Sequence, residues 1–189
     1  MSNMGELEVI LGPMFSGKTT RLLELYRQYH GIVPTIMINH CSDNRYGETT
    51  HVFSHNKDNV PCTSVSTLSS VNIPQDNDDK HTWVILINEG QFFPDLVEYV
   101  NKWVNEYKMS VYVCGLDGDY KRNKIGDILD LIPMADSIVK LNSICKHCSS
   151  KKKAIFTHRI TNECEQVVIG SDNYIPVCRS CYQKLNTCK

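Results

Sequence analysis

The stretch "LEVILGPMFSGKTTRLLELYRQYH", Leu7 to His30, decides the fold. Leu7 to Gly12 has the apolar density of a short buried strand. From Lys18 onward, Leu22, Leu23, Tyr26 and Tyr29 share one helical face, and Gly31 stands where a C-terminal cap belongs. Between strand and helix, "GPMFSGKT" fits the pattern GxxxxGK[ST]. A glycine-bearing turn at this junction lets backbone N–H groups converge on phosphate oxygens at a helix N-terminus, where the helix dipole also favours an anion. Gly12, Pro13, Met14, Phe15, Ser16 and Gly17 would form that cradle, with Lys18 reaching the β- and γ-phosphates and the Thr19 hydroxyl holding Mg²⁺. The blander alternative is a glycine turn that contains a lysine by chance.

Outward from this loop, "TIMIN" (Thr35 to Asn39), "TWVILIN" (Thr82 to Asn88), "SVYVCGL" (Ser110 to Leu116) and "DSIVKL" (Asp136 to Leu141) read as strands. Pro94 introduces a helix in "DLVEYVNKWVNEY", where Leu96, Val97, Val100, Val104 and Tyr107 recur at three- and four-residue spacing. Alternation of strand and helix is the pattern of an α/β fold, a P-loop parallel sheet flanked by helices. Residues 41–80 are polar and contain Pro61 and Pro74, so loops are expected there. The texture changes after Cys145: "AIFTHRI" and "EQVVIG" suggest a short antiparallel ribbon. Two units follow, a P-loop domain over 1–142 and a small zinc-binding ribbon domain over 143–189.

Zinc enters through two pairs, Cys145 and Cys148 in "CKHC" and Cys178 and Cys181 in "CRSC". Thiolates two residues apart grip one ion from a tight turn, and two such turns close a tetrahedral shell around Zn²⁺. A redox role is the competing reading, weakened by the lack of the expected βαβ context. His147 inside the first pair is expected to be a bystander, and Cys41, Cys62, Cys114, Cys164 and Cys188 are given no role. The net charge of -1 argues against a general nucleic-acid binder, and the lysines of "KHCSSKKK" read as a solvated loop. No apolar run approaches the ~20 residues that span a bilayer, and no signal-peptide pattern opens the chain. A cytoplasmic protein without a membrane partner is the expectation.

The strings "GPMFSGKTT", "EGQFFPD", "GLDGDYKR" and "SDNYIPVCRSCY" together closely resemble the zinc-containing (type II) thymidine kinases, from about Leu7 to Tyr182. The resemblance implies transfer of the γ-phosphate of ATP to the 5′-hydroxyl of thymidine, a step of deoxynucleoside salvage that feeds DNA synthesis. It further implies Mg²⁺, structural Zn²⁺, a homotetramer and feedback inhibition by thymidine triphosphate, with no nucleic-acid partner. By motif, Glu89 matches the catalytic base, Arg45 an arginine beside the transferred phosphoryl group, and Asn88 and Gln91 positions of the nucleotide site. Met14, Phe92, Leu116, Tyr120 and Ile125 match the thymine pocket, although the family often has phenylalanine where Tyr120 and Ile125 stand. A loop between the zinc cysteines closes over the base in this family, with Tyr174 packing on the nucleoside, backbone near Val167 and Ile169 hydrogen-bonding it, and Thr157 beside the ring. For Glu89 the residues themselves agree, since a carboxylate just past a buried strand and near the phosphate loop stands where a proton must be removed, with a turn cap as the blander alternative. Without the resemblance, Arg45 reads as a solvated side chain and the apolar positions as core.

Asn88 departs from the pattern, because the family normally has aspartate there, supporting Mg²⁺. An amide keeps the size and one acceptor oxygen but loses the charge, which predicts a working kinase with weakened metal affinity that Asn88→Asp would strengthen. The alternatives are a catalytically impaired nucleotide-binding homologue and a zinc-ribbon P-loop ATPase acting on nucleic acid. Asp43 is the next candidate for the base should Glu89 not serve.

Overall fold

The computed structural model describes residues 5–43, 50–54, 57–74, 83–148, 150–168 and 170–186. The opening strand β1 (Glu6–Leu11) turns through the glycine loop into helix α1 (Lys18–Tyr29). Then come β2 (Thr35–His40), the short strands β3 (His51–Phe53), β4 (Asn59–Pro61) and β5 (Thr63–Val65), and β6 (Val84–Asn88). Helix α2 (Leu96–Asn101) continues as a π-turn over Lys102–Glu106, followed by β7 (Ser110–Gly115) and β8 (Ser137–Lys140). The central sheet runs β5-β2-β6-β7-β1-β8 with every pairing parallel.

Side-chain alternation sorts this sheet into two cores. Ile85 and Ile87 of β6 and Val111 and Val113 of β7 pack with Leu96, Val100 and Trp103 from the α2 segment. Val84, Leu86, Tyr112 and Cys114 take the opposite face and pack with Leu22, Leu23, Leu25 and Tyr26 of α1. Because β6 is buried along its whole length, it reads as an unbroken apolar run, as a doubly covered parallel strand should.

Part of the polar stretch 41–80, expected as loops, carries strands. β3 and β4 form an antiparallel pair, and β5 joins the edge of the main sheet beside β2. Each has only three residues, and Val52 and Val60 are the single buried residues of β3 and β4, too little apolar content for a periodicity to show.

In the C-terminal part, β9 (Ser143–Ile144) pairs with β10 (Lys153–Ala154), β11 (Phe156–Arg159) pairs with β12 (Tyr174–Val177), and α3 (Arg179–Asn186) follows. The antiparallel ribbon exists, but the partner of β11 is "YIPV" and not the expected "EQVVIG". Pro176 removes one N–H and disguises the strand, yet β12 has a single partner strand and tolerates the loss. The backbone of "EQVVIG" is drawn elsewhere: carbonyls of Glu165 and Gln166 accept from the Arg159 guanidinium. Tyr182 binds the C-terminal part to the sheet by donating its hydroxyl to Tyr120 O at 2.8 Å. Among the described residues no helix is long and apolar enough to cross a membrane.

Candidate functional site

Ligands of open α/β sheets sit beyond the carboxyl ends of the strands, and here β1, β2 and β6 release their chains toward one cleft of about 540 Å³. Met14 to Thr19 line one side of it. Gly12 and Pro13 lie behind the lining, and Pro13 O accepts a 2.8 Å hydrogen bond from the buried Lys18 Nζ. Phe15 occupies the left-handed region at φ 62°, a conformation uncommon for a side-chain-bearing residue. The Ser16 hydroxyl is buried without a hydrogen-bond partner among the described residues. A buried orphan hydroxyl in a loop of this shape fits an anionic ligand that would satisfy it.

Glu89 also lines the cleft, in a left-handed turn (φ 55°) that swings its side chain away from the direction of β6. Gln91, expected among the nucleotide contacts, lies beneath the cleft floor at 3% exposure. Its Nε2 donates to Glu89 Oε2 at 2.7 Å, and its Oε1 accepts from Leu116 N at 3.0 Å. Two glycines make room for it: a Cβ at Gly115 would fall 2.2 Å from Gln91 Oε1, and one at Gly126 1.8 Å from Gln91 O. One oxygen of the carboxylate is therefore fixed from below.

Asn88 likewise stays out of the cleft, at 1% exposure. It continues the Val84–Leu86 series onto the α1 face, which sets its amide under the first turn of that helix. Thr19 Oγ1 donates to Asn88 Oδ1 at 3.3 Å and Cys114 Sγ donates to the same oxygen at 3.2 Å. Asn88 Nδ2 donates to Asn39 Oδ1 at 2.8 Å and to Asp43 Oδ2 at 3.4 Å. Cys114, given no role from sequence, belongs to this layer. Arg45 and Ile169 lie outside the described residues.

At the other end, Met14, Phe92, Leu116, Tyr120, Ile125, Thr157, Val167 and Tyr174 all line the cleft. The Thr157 hydroxyl accepts from Met14 N at 3.0 Å, joining the C-terminal ribbon to the phosphate loop. Phe53, Asp119, Gln166 and Val168 line it too and were not legible in the sequence. Gln166 Nε2 bridges Asp119 Oδ2 (3.1 Å) and Lys124 O (3.0 Å), closing the covering segment onto the sheet unit. Neither a glutamine nor an aspartate in polar loops carries a local signal for such a bridge.

Beyond the cleft, the sulfurs of Cys145, Cys148, Cys178 and Cys181 lie within 4.8 Å of one another. His147 is exposed and outside the cluster. Tetrahedral zinc with Zn–S near 2.3 Å needs sulfurs roughly 3.8 Å apart, so the cluster fits a zinc site. Cys178 N donates to Cys145 Sγ at 3.3 Å, a bond that favours the thiolate. The Ser150 hydroxyl draws the Cys148 thiol down to about 6, while burial and the neighbouring sulfurs push Cys181 up to about 12. Four thiols this close cannot all ionise without a cation among them.

The thymidine kinase family model matches residues 5–182. A thymidine kinase of Yaba monkey tumor virus (strain VR587) is 40% identical over 187 residues, covering 98% of this chain and 98% of its own. One from Monkeypox virus is 40% identical over 182 residues (95% of this chain, 98% of its own), and one from Oryza sativa subsp. japonica 43% over 185 residues (94% and 66%). With a match this long, laid over a P-loop, a carboxylate-bearing cleft and a four-cysteine cluster, the chain belongs to the thymidine kinase family.

Proposed function

We propose that this protein transfers the γ-phosphate of ATP to the 5′-hydroxyl of thymidine. The observation that carries the reading is the placement of Glu89 in one cleft between the phosphate loop and an apolar end covered by the segment that bears Val167 and Tyr174. The nucleoside enters against Phe92, Leu116 and Tyr174, and its hydroxyl meets Glu89. Glu89 accepts the hydroxyl proton while the oxygen bonds to the γ-phosphorus and the bond from that phosphorus to the β-phosphate oxygen breaks, releasing ADP and thymidine monophosphate. Lys18 and the loop N–H groups hold the phosphates, and Arg45 is assigned to the transferring group. A Mg²⁺ ion held by Thr19 would neutralise charge on the phosphates. Zinc in the Cys145, Cys148, Cys178 and Cys181 cluster would fix the ends of the covering segment and do no chemistry.

The same reading takes residues 1–142 as the nucleotide-binding domain and 143–189 as the zinc-binding domain, in a cytoplasmic homotetramer inhibited by thymidine triphosphate. The test offers purified protein ATP, Mg²⁺ and each deoxynucleoside in turn and measures monophosphate. Thymidine monophosphate as the dominant product is the expected result. ATP binding with no transfer would replace the reading by that of an impaired homologue, and ATP hydrolysis stimulated by nucleic acid would replace it by the ATPase reading.

A further inference from the structure

Arg159 is 2% exposed, and no carboxylate among the described residues pairs with it. Its hydrogen bonds go to neutral groups instead. Nη1 donates to the carbonyls of Glu163 (3.0 Å) and Glu165, and Nη2 to Gln166 O (3.1 Å) and the Tyr174 hydroxyl (2.6 Å). The guanidinium carbon lies 3.9 Å from the centre of the Tyr120 ring and 5.1 Å from that of Tyr174, both of which line the cleft. Nε is buried without a hydrogen-bond partner among the described residues. A buried cation without a carboxylate in ion-pair contact is costly, and the exposed Glu163 carboxylate attracts it only at longer range, so the arginine and the carbonyls around it stabilise one another.

We infer that Arg159 is the positioning residue that shapes the covering segment for the nucleoside, an inference that rests on the thymidine kinase reading. Turning three carbonyls of one short segment toward a single cation fixes the orientation of their peptide planes, because each planar amide points its N–H opposite its carbonyl. The Gln166 carbonyl faces the guanidinium, so the Val167 N–H faces away from it. The Val168 N–H is taken by the Tyr174 hydroxyl at 3.0 Å, the same oxygen that Arg159 grips. The hydrogen-bonding pattern that Gln166, Val167 and Val168 present at the cleft wall is thereby set by Arg159 and the Tyr174 hydroxyl it holds. The same guanidinium holds the faces of two aromatic walls. Thr157, on the same face of β11, reaches Met14, whereas Arg159 itself makes no hydrogen bond to the phosphate loop. Its influence is confined to the nucleoside end. Lysine cannot replace it, having neither the planar fork nor the stacking face.

The test measures steady-state kinetics of Arg159→Lys and Arg159→Ala with thymidine and ATP varied separately, with circular dichroism to confirm folding and millimolar guanidinium chloride added back. Thymidine KM should rise by about 10-fold or more in both, the size of one lost charge-assisted hydrogen bond, while ATP KM stays within about twofold. Guanidinium should lower the thymidine KM of folded Arg159→Ala and leave Arg159→Lys unchanged. Wild-type thymidine KM in Arg159→Lys, or equal rises for both substrates, would overturn the inference, as would a folded Arg159→Ala that guanidinium does not rescue. Should Arg159→Ala not fold, Arg159→Lys decides alone. If the wild-type protein neither binds nor phosphorylates thymidine, the functional reading falls and takes the inference with it.

Discussion

Asn88 and Asn39 are register partners on the neighbouring strands β6 and β2, and their side chains meet in a 2.8 Å hydrogen bond from Nδ2 to Oδ1. The direction of the amide is dictated by chemistry: ionised Asp43 can only accept, so Nδ2 must face it, and Thr19 and Cys114 are both able to donate to Oδ1. Asn88 is thus wired as a double donor on one side and a double acceptor on the other.

An aspartate in its place keeps the acceptor side and loses both donor bonds, while setting a second carboxylate against Asp43. Asn88→Asp is therefore expected to destabilise the fold by about 1–3 kcal/mol and to leave the Mg²⁺ requirement unlowered, against the expectation drawn from sequence. Thermal denaturation and a Mg²⁺ titration of the wild-type and substituted proteins check this. An unchanged Tm together with a reduced Mg²⁺ requirement would restore the metal-support explanation.

Glu89→Gln should bind ATP normally while kcat falls by about 10²-fold or more, since an amide cannot take up the hydroxyl proton. Nucleotide titration and single-turnover phosphorylation separate the two effects. A near-normal kcat would transfer the role, with Asp43 the first residue to examine.

Gln91→Leu removes the donor that stabilises the charged form of Glu89, so the carboxyl should hold its proton to higher pH. Activity on this reading depends on the deprotonated base, so the acid limb of kcat/KM should move to higher pH. Gly115→Ala, whose Cβ collides with Gln91 Oε1, should shift the limb in the same direction. A loss of stability without any movement of the pH profile would reduce Gln91 to a packing residue.

Metal analysis should find about one Zn²⁺ per chain, and Cys178→Ser should lose it. Thymidine affinity should then fall more than ATP affinity, because β12, which carries Tyr174, runs directly into Cys178 while the phosphate loop lies elsewhere in the chain. Equal losses for both ligands, or folded protein without zinc, would remove the proposed role.

The legible parts were those where covalent spacing or periodicity stands in for geometry. GxxxxGK[ST], two CxxC pairs and the apolar run of β6 each encode their own surroundings, and the eight described positions that the resemblance assigns to the nucleoside all line the cleft. Contacts between residues remote in sequence were not encoded that way. Gln91 looked like a ligand contact because its motif lies at the site, but its side chain turns down beneath the cleft against Gly115, while Gly126 makes room for its backbone. Gln166 and Arg159 act across 47 and 15 residues of sequence, on Asp119 and Tyr174 respectively, and nothing in their neighbours announces it. β12 was hidden by its proline, and β3 to β5 by their brevity.

Arg159 and Tyr174 are also the last register pair of the β11–β12 ribbon, so the segment between them leaves and re-enters the structure at adjacent points. A loop whose ends are already joined changes its closure entropy slowly with length, by about 0.6 kcal/mol for each doubling. Residues can be added or removed between Ile160 and Asn173 at little thermodynamic penalty, provided the carbonyls that Arg159 requires are retained. On the proposed reading, this is the stretch in which acceptance of altered nucleosides would be re-engineered or diversified, with the phosphate-binding half left in place.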